Sequence, residues 1–390
     1  MACIGVEAKQ SITANYLRGA LFGFTAVAIW AGWSAMTRLA VTTSLDAWDI
    51  PILRFGLAGL LLSPIVVRRG IALDHLRWLG LCGIIVGTGA PYALVTALGL
   101  QFAPAYDQGA LNPGCMPLFV ALIAATVLGE KPSTVQKIGL TLILSGALII
   151  VGWHDSAWGI WRSFGDVLFL IASFLTACYT VIMQQSKLDP IHVAALVSTG
   201  SLVTYAPIYL ALHGFHLAEV PLADLTMQVI FQGIAVTIIS LVLYGRAVLI
   251  LGASGGSAFG ALVPALSALL AIPLLGEWPT AAGWVGIVVI STGVYFGERR
   301  TPSGDAPIAG EAVQATRSDN RHQGRVSSWP LCLWQEPLPR RVRRIVQGVL
   351  KGIRSAISGL AFSAIRSARR GSAKEAAPFR RSPAATPTWA

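Results

Sequence analysis

Charged side chains are scarce in this chain: 12% of its 390 residues, against 54% apolar, with a mean hydropathy of +0.65. A soluble domain carries roughly 25% charged residues, so a water-soluble globular surface is excluded. Acidic residues are the rarer sign, 18 Asp and Glu against 29 Lys and Arg, for a formal charge of +11. Residues 1–300 hold 14 basic and 13 acidic side chains, whereas residues 301–390 hold 15 and 5. The excess therefore sits in a tail and not on a folded domain, and no nucleic-acid partner is expected.

Cysteine and histidine are sparse as well. Five cysteines (Cys3, Cys82, Cys115, Cys178, Cys332) are odd in number and widely spaced. Three fall in apolar runs, where a thiol packs as a small hydrophobe, so neither a disulfide framework nor a zinc site is supported. The six histidines lie in connections, at helix ends or in the tail, and no HExxH occurs. Gly165-Asp166 lacks the glycine of an intramembrane aspartyl-protease motif, because Ser163 holds that place. Gly252-Ala253-Ser254-Gly255 has no histidine to partner it. His213, His216 and Glu219 come nearest to a metal set and read better as a solvated loop. No enzyme, cofactor or metal is expected.

Long apolar runs are what the chain has. A membrane helix needs about 20 apolar residues, and ten stretches supply them: 19–37, 50–67, 77–99, 105–128, 134–152, 164–185, 191–212, 226–250, 252–275 and 280–297. The eighth and ninth nearly abut at 250–252. No small-residue cleavage pattern follows the first run, which reads as an uncleaved span. With the N-terminus inside, the inner connections carry Lys9, Arg18, Arg68, Arg69, Arg77, Lys131, Lys137, Lys187, Arg246, Arg299 and Arg300, eleven in all. The outer ones carry Arg38 and Arg162, with Arg54 at the outer end of the second span. The positive-inside rule then puts both termini in the cytoplasm.

An offset of 147 residues brings Gly109 onto Gly256, Pro117 onto Pro264, Gly129-Glu130 onto Gly276-Glu277, Pro132 onto Pro279, Gly139 onto Gly286 and Gly146 onto Gly293. Upstream, Gly19 and Trp33 meet Gly165 and Tyr179 at offset 146. Two five-helix halves follow, and since five is odd they cross the membrane in opposite senses. Lys131 and Lys137, placed inside, correspond to Trp278 and Trp284, placed outside, a replacement that suits the two interfaces.

The segments PLFVALIAATVLGEKPSTVQKIGLTLILSGALIIVG and PALSALLAIPLLGEWPTAAGWVGIVVISTGVYFGE, with Trp30-Ala31-Gly32-Trp33 and Pro51-Ile52-Leu53-Arg54-Phe55 upstream, resemble the paired domains of the EamA family in the drug/metabolite transporter superfamily. The resemblance covers residues 19 to about 298. It implies ten helices around a central polar cavity, alternating access and usually export of metabolites, amino acids or drugs, with some importers and sugar-nucleotide carriers. The expected fold is an all-α polytopic membrane protein of ten helices in two inverted five-helix repeats, 19–152 and 164–298. They are joined by an outer connection, 153–163, preceded by residues 1–18 and followed by a basic tail, 299–390.

Pro117 and Pro264 each remove a hydrogen bond from the carbonyl four residues earlier, those of Pro113 and Gly260. Either these carbonyls face a solute between the halves or the prolines only bend helices to fit the bundle. Small residues spaced by four, Ala105, Gly109 and Pro113 and again Gly252, Gly256 and Gly260, permit close helix approach. Polar groups inside a membrane are costly and therefore candidate ligands: Tyr92, Asn112, Tyr179, Gln184, Ser240, Tyr244 and Ser257, with Trp30 and Trp33 as aromatic walls. Asp107, Asp166, Glu130 and Glu277 fall within about a turn of a helix end, where water reaches them. They are candidates for gating or coupling, and the two glutamates read first as charges capping the next helix. Arg54 reads as snorkelling to the outer interface, with an anionic substrate as the alternative.

In the tail, 301–339 reads as a linker. Over 340–370 apolar residues recur at helical spacing between arginine clusters, which suits either a helix lying on anionic cytoplasmic lipid or a disordered basic extension. The expected protein is a plasma-membrane carrier, in a bacterial inner membrane, whose partners are a small solute and the bilayer. The alternative is a membrane adaptor acting through its tail. Substrate, direction, coupling and oligomeric state are left open by the sequence.

Overall fold

The computed structural model describes residues 2–152, 159–186, 188–214 and 216–298, with side chains from residue 16 onward except 253–257 and His216. The chain divides into two units, 1–306 and 307–390. The second unit, and with it the expected helix 340–370, lies outside the described residues.

Every regular element among the described residues is helical: α1 (Ala2–Thr43), α2 (Asp49–Arg69), α3 (Leu73–Thr88), α4 (Ala90–Phe102), α5 (Ala105–Ile123), α6 (Thr134–Gly152), α7 (Gly159–Ser186), α8 (Pro190–His213), α9 (Leu222–Gln228), α10 (Ser240–Ala258), α11 (Val263–Leu275) and α12 (Ala281–Gly297). A π-helical turn, Ala124–Leu128, ends α5, and a longer π-helical stretch, Val229–Ile239, joins α9 to α10. Among the described residues, eight stretches are long and apolar enough to cross a membrane: Tyr16–Thr43, Asp49–Arg69, Leu73–Phe102, Ala105–Leu128, Thr134–Gly152, Gly159–Ser186, Pro190–His213 and Leu222–Gly252. Gly260–Leu275 and Ala281–Gly297 are shorter apolar helices. Large apolar side chains such as Leu60, Val67, Leu148, Leu212, Leu249 and Val288 stand exposed on the outside of the bundle. Lipid is the solvent in which such a surface is stable, and the fold is that of an all-helical polytopic membrane protein.

The closest helix pair is α6 with α12. A methyl group on Gly139 would stand 2.7 Å from the Gly293 carbonyl oxygen and closer still to the Gly297 nitrogen; one on Gly146 would stand 2.9 Å from the Gly286 carbonyl oxygen. The two helices therefore run antiparallel with their backbones touching, the close approach that small residues allow in lipid.

The chain turns sharply at Gly252 (φ 79°), where the sequence put the boundary between the eighth and ninth runs. The third run is also broken, within its apolar length, at Gly89 (φ −86°, ψ −148°), between α3 and α4. The N–H of Ala90 is then free of the α-helical ladder, and Ser201 Oγ of α8 accepts it at 3.0 Å. Pro117 sits inside α5, whereas Pro264 stands in the first turn of α11. The Gly260 carbonyl, expected to be released by Pro264, instead accepts the Val263 N–H in the short 3-10 turn Gly260–Leu262.

Helix capping corrects another expectation. Ser133 and Gln136 exchange hydrogen bonds of 2.9 and 3.3 Å at the start of α6, and Thr280 Oγ1 accepts the Gly283 N–H at 3.1 Å at the start of α12. Hydroxyls, 147 residues apart, cap these helices; the preceding glutamates do not.

Candidate functional site

Trp30, Trp33, Ser34 and Thr37 stand at positions i, i+3, i+4 and i+7, which puts them on one face of α1. Each finds a polar partner on another helix or is held by one. Trp30 Nε1 donates to Ser240 Oγ at 2.8 Å, and its ring meets Tyr244 at 5.0 Å. Trp33 Nε1 donates to Gln232 Oε1 at 2.6 Å; Gln232 Nε2 donates in turn to Thr37 Oγ1 at 3.0 Å and to Gln228 Oε1 at 3.3 Å. Gln228 Nε2 donates to the Met36 carbonyl at 3.0 Å, and Ser34 Oγ donates to Gln108 Oε1. Gln108, Gln228 and Gln232 are at most 2% exposed. Gln232 lies in the π-helical stretch, a distortion that shifts which side chains face inward and often accompanies a functional position.

Beyond Trp33 the chain of contacts reaches α4 and α5. The Trp33 ring stacks on Tyr92, centroids 6.0 Å apart, and Asn112 Nδ2 donates to the Tyr92 hydroxyl at 3.0 Å. Over the other groups lies Arg54 of α2, its guanidinium carbon 4.8 Å from the Trp33 ring centre and 5.3 Å from that of Phe55. Its Nε and Nη1 are buried and have no hydrogen-bond partner among the described residues. Arg54 does not carry these atoms to solvent: the expectation of snorkelling fails because the Trp33 and Phe55 rings cover the guanidinium, while α2 itself packs on α8 and the π-helical stretch. Cation–π contact offsets about 2 kcal/mol or somewhat more when desolvated, while taking a cation out of water costs several. The site is thus left with an unmatched positive charge beside stacked aromatics and amides.

One end of the bundle is closed by ion pairs. Arg38 Nε meets Glu277 Oε1 at 3.0 Å, Arg38 also donates to the Leu100 carbonyl, and Glu277 Oε2 accepts the Ala105 N–H at 2.8 Å. Arg162 grips Asp107 with two hydrogen bonds, 2.8 and 3.1 Å, over the Tyr106 ring. Asp107 and Asp166 are 0% exposed, which overturns their expected wetting: proximity to a helix end does not bring water where another helix end covers it. Tyr209 donates to Asp49 at 2.6 Å and Tyr205 to the Trp48 carbonyl at 2.8 Å, tying α8 to the start of α2. His213 stacks on Trp48 and Tyr209. The opposite end has a solvent-exposed pair, Arg69 with Asp189 at 2.6 Å. The guanidinium beside Asp189 holds its carboxyl below the usual carboxylate range.

Of the residues expected at the site, Trp30, Trp33, Tyr92, Asn112, Ser240 and Tyr244 form one connected cluster. Tyr179 packs against the same apolar core and donates to Met183 Sδ at 3.2 Å. Gln184 and Glu130 are exposed, and the side chain of Ser257 lies outside the described residues. Unforeseen were Gln108, Gln228, Gln232, Ser34 and Thr37, although the four-residue spacing of the last two glutamines, in an apolar run, was a usable signal. Two recesses, of about 600 Å³ near Phe259 and Phe296 and about 430 Å³ near Arg69 and His192, lie apart from this cluster.

The chain matches the model of the EamA-like transporter family over residues 17–152 and 163–297. It is 28% identical to a probable terminal-alkyne amino-acid exporter of Streptantibioticus cattleyicolor, across 70% of this chain and 94% of that protein. It is 25% identical to an uncharacterized transporter of Archaeoglobus fulgidus, across 69% and 93%. A solved crystal structure of a protein 20% identical superposes with a TM-score of 0.50, covering 72% of this chain and 96% of the other.

Proposed function

Because the chain belongs to the EamA-like transporter family, whose members are solute transporters and not enzymes, we propose that it carries a small metabolite, an amino acid or drug-like solute, across the plasma membrane by alternating access. Export is the direction proposed, with both termini in the cytoplasm. The observation that carries the reading is the buried polar cluster gathered by α1 from α2, α4, α5 and the π-helical stretch. A membrane protein whose helices only needed packing would have little reason to bury three glutamines and an arginine at one place.

We read the chain as ten helices in two inverted halves, 19–152 and 164–298, in which α3 and α4 form one broken span and the two shorter apolar helices complete the count. Support comes from α6 and α12. Gly139 lies against Gly293, and Gly146 against Gly286; an offset of 147 exchanges these two contacts, as a twofold axis between the halves requires. The positive-inside pattern supports placing the Glu277 end outside. On that placement Arg38–Glu277 and Arg162–Asp107, with Asp166, form an outer gate, and Arg69–Asp189 is a weaker, wet contact inside. Asp107 and Asp166 are then the groups through which a proton gradient would act.

The test is transport by the full-length protein in liposomes, with a labelled amino-acid panel that includes an alkyne-bearing amino acid, with and without a pH gradient. At least one solute should cross. Asn112→Ala and Tyr244→Ala should slow it about tenfold or more in protein that remains monodisperse. If nothing in the panel moves, or both variants carry it at the wild-type rate, this reading of the site fails.

A further inference from the structure

We propose that Arg54 is a carboxylate receptor, the group that holds the acid end of a zwitterionic or anionic solute within the cluster on α1. The proposal rests on the carrier reading and names the chemistry that its site selects. By the charge pattern three arginines lie in the outer half of the bundle. Two are matched, Arg38 by Glu277 and Arg162 by Asp107. Arg54 has no carboxylate and no hydrogen-bond acceptor among the described residues, and its Nε and Nη1 are shut off from solvent.

Its place is nevertheless fixed. Its guanidinium carbon stands over the rings of Trp33 and Phe55, contacts that hold a cation without using its N–H donors. Trp33 is itself held by Gln232 at 2.6 Å and stacked on Tyr92. A cation held by rings, with its buried Nε and Nη1 donors unspent, is built for a planar anion with two acceptor oxygens. One guanidinium balances one charge, which suits a carboxylate better than a phosphate dianion. The rings of Trp30, Trp33, Tyr92 and Tyr244 suit an apolar remainder.

The experiment uses the detergent-purified full-length chain and, as probes, a set of aliphatic and aromatic amino acids with their carboxamides, which keep size and amine but lose the anion. Thermal stabilisation reads binding. At least one acid is expected to raise the melting temperature where its carboxamide does not. Its apparent affinity should fall about 100-fold in Arg54→Gln, as for truncating one side of a buried charge pair, and less in Arg54→Lys, which keeps the charge without the planar fork. Arg54→Gln without ligand should melt at or above the wild-type temperature, because it removes an unmatched buried charge. The proposal is overturned if carboxamides stabilise as well as acids, if no acid stabilises, or if Arg54→Gln binds the acid as the wild type does. Liposome transport of the same acid separates the two readings. Binding that needs Arg54 without movement sinks the carrier and keeps the receptor; movement indifferent to Arg54 does the reverse.

Discussion

Gly129-Glu130 and Gly276-Glu277 make the same turn twice and give their carboxylates opposite surroundings. The glycines share φ of 71° and 69° with ψ of 13°, and the glutamate N–H groups return to Ala124 and Ala271 at 3.2 and 3.4 Å. Then a hydroxyl cap follows in each copy, Ser133 or Thr280. Yet Glu130 is exposed, whereas Glu277 holds Arg38 and the first N–H of α5. Local sequence sets the backbone in both places; the role of the side chain is set by what the other half of the molecule brings to it. Repetition supplies a shape, and departure from it supplies the Arg38–Glu277 ion pair.

The comparison breaks hardest at the α6–α12 seam. Gly139→Ala drives a methyl into the backbone of Gly293 and Gly297, whereas Gly286→Ala, its repeat mate, meets the Ile150 side chain at Cγ1 first and the Gly146 carbonyl oxygen only at 3.1 Å. Overpacking of this kind costs about 1–3 kcal/mol, with Gly139→Ala near the top of that range and Gly286→Ala near the bottom. Melting in detergent measures both, and equal losses would count against the unequal fit of the two mates.

Next in size are the glutamates. Glu277→Gln leaves Arg38 with its carboxylate gone in a place where both side chains are about one-fifth exposed. Breaking a fully buried pair costs roughly 3–5 kcal/mol, so with this much solvent access the expected loss is about 1–3 kcal/mol. Glu130→Gln should stay within about 0.5 kcal/mol. A loosened contact at the Arg38–Glu277 end would also show as faster labelling of a cysteine placed at Ala103 in Glu277→Gln and unchanged labelling in Glu130→Gln.

These contrasts mark where the sequence was legible. The glycine turns are local and the repeat made them visible twice; the break at Gly252 is local too, and the caps, equally local, are written in Ser133 and Thr280 where the glutamates read first. The break at Gly89 carried its own signal in Gly87-Thr88-Gly89-Ala90-Pro91 and was hidden by the unbroken hydropathy around it. Which way a polar side chain faces was harder to read, because lipid and bundle interior are both apolar and the helix faces therefore differ little. Trp30, Trp33, Tyr92 and Asn112 came together as expected, while Gln184 turned outward and Gln228 and Gln232 turned in. The burial of Asp107, Asp166 and Arg54 depends on partners from distant elements, α7 for the first and α1 for the last, so no window along the chain contains it.

A third test asks whether the turns are as alike in energy as in shape. Alanine at Gly129 or Gly276 would have to hold φ near +70°, which costs an L-residue about 1 kcal/mol, and nothing lies within 4 Å of either added methyl. The two losses should agree within a few tenths of a kcal/mol. A much larger loss at Gly276 would mean that the turn and the Arg38–Glu277 pair are coupled.

The smallest effect lies at the end opposite the gate. Asp189 accepts the Ile191 N–H as the N-cap of α8 and pairs with Arg69, both side chains about half exposed. Its folded pKa is lowered chiefly by the hydrogen bond from Arg69. A lowered folded pKa contributes stability above the unfolded value of about 3.9, and that stability is lost as pH falls through the folded pKa. The pair therefore gives a constant contribution across pH 5–8, of at most about 1 kcal/mol for so exposed a bridge. Arg69→Ala should lower the melting temperature slightly at pH 7, and the difference from wild type should shrink below about pH 4. Any pH dependence of transport between 5 and 8 would then have to arise elsewhere, and it should survive Arg69→Ala unchanged. If that variant abolished it, the inner contact would be the sensor, and the assignment of Asp107 and Asp166 as coupling groups would have to be given up.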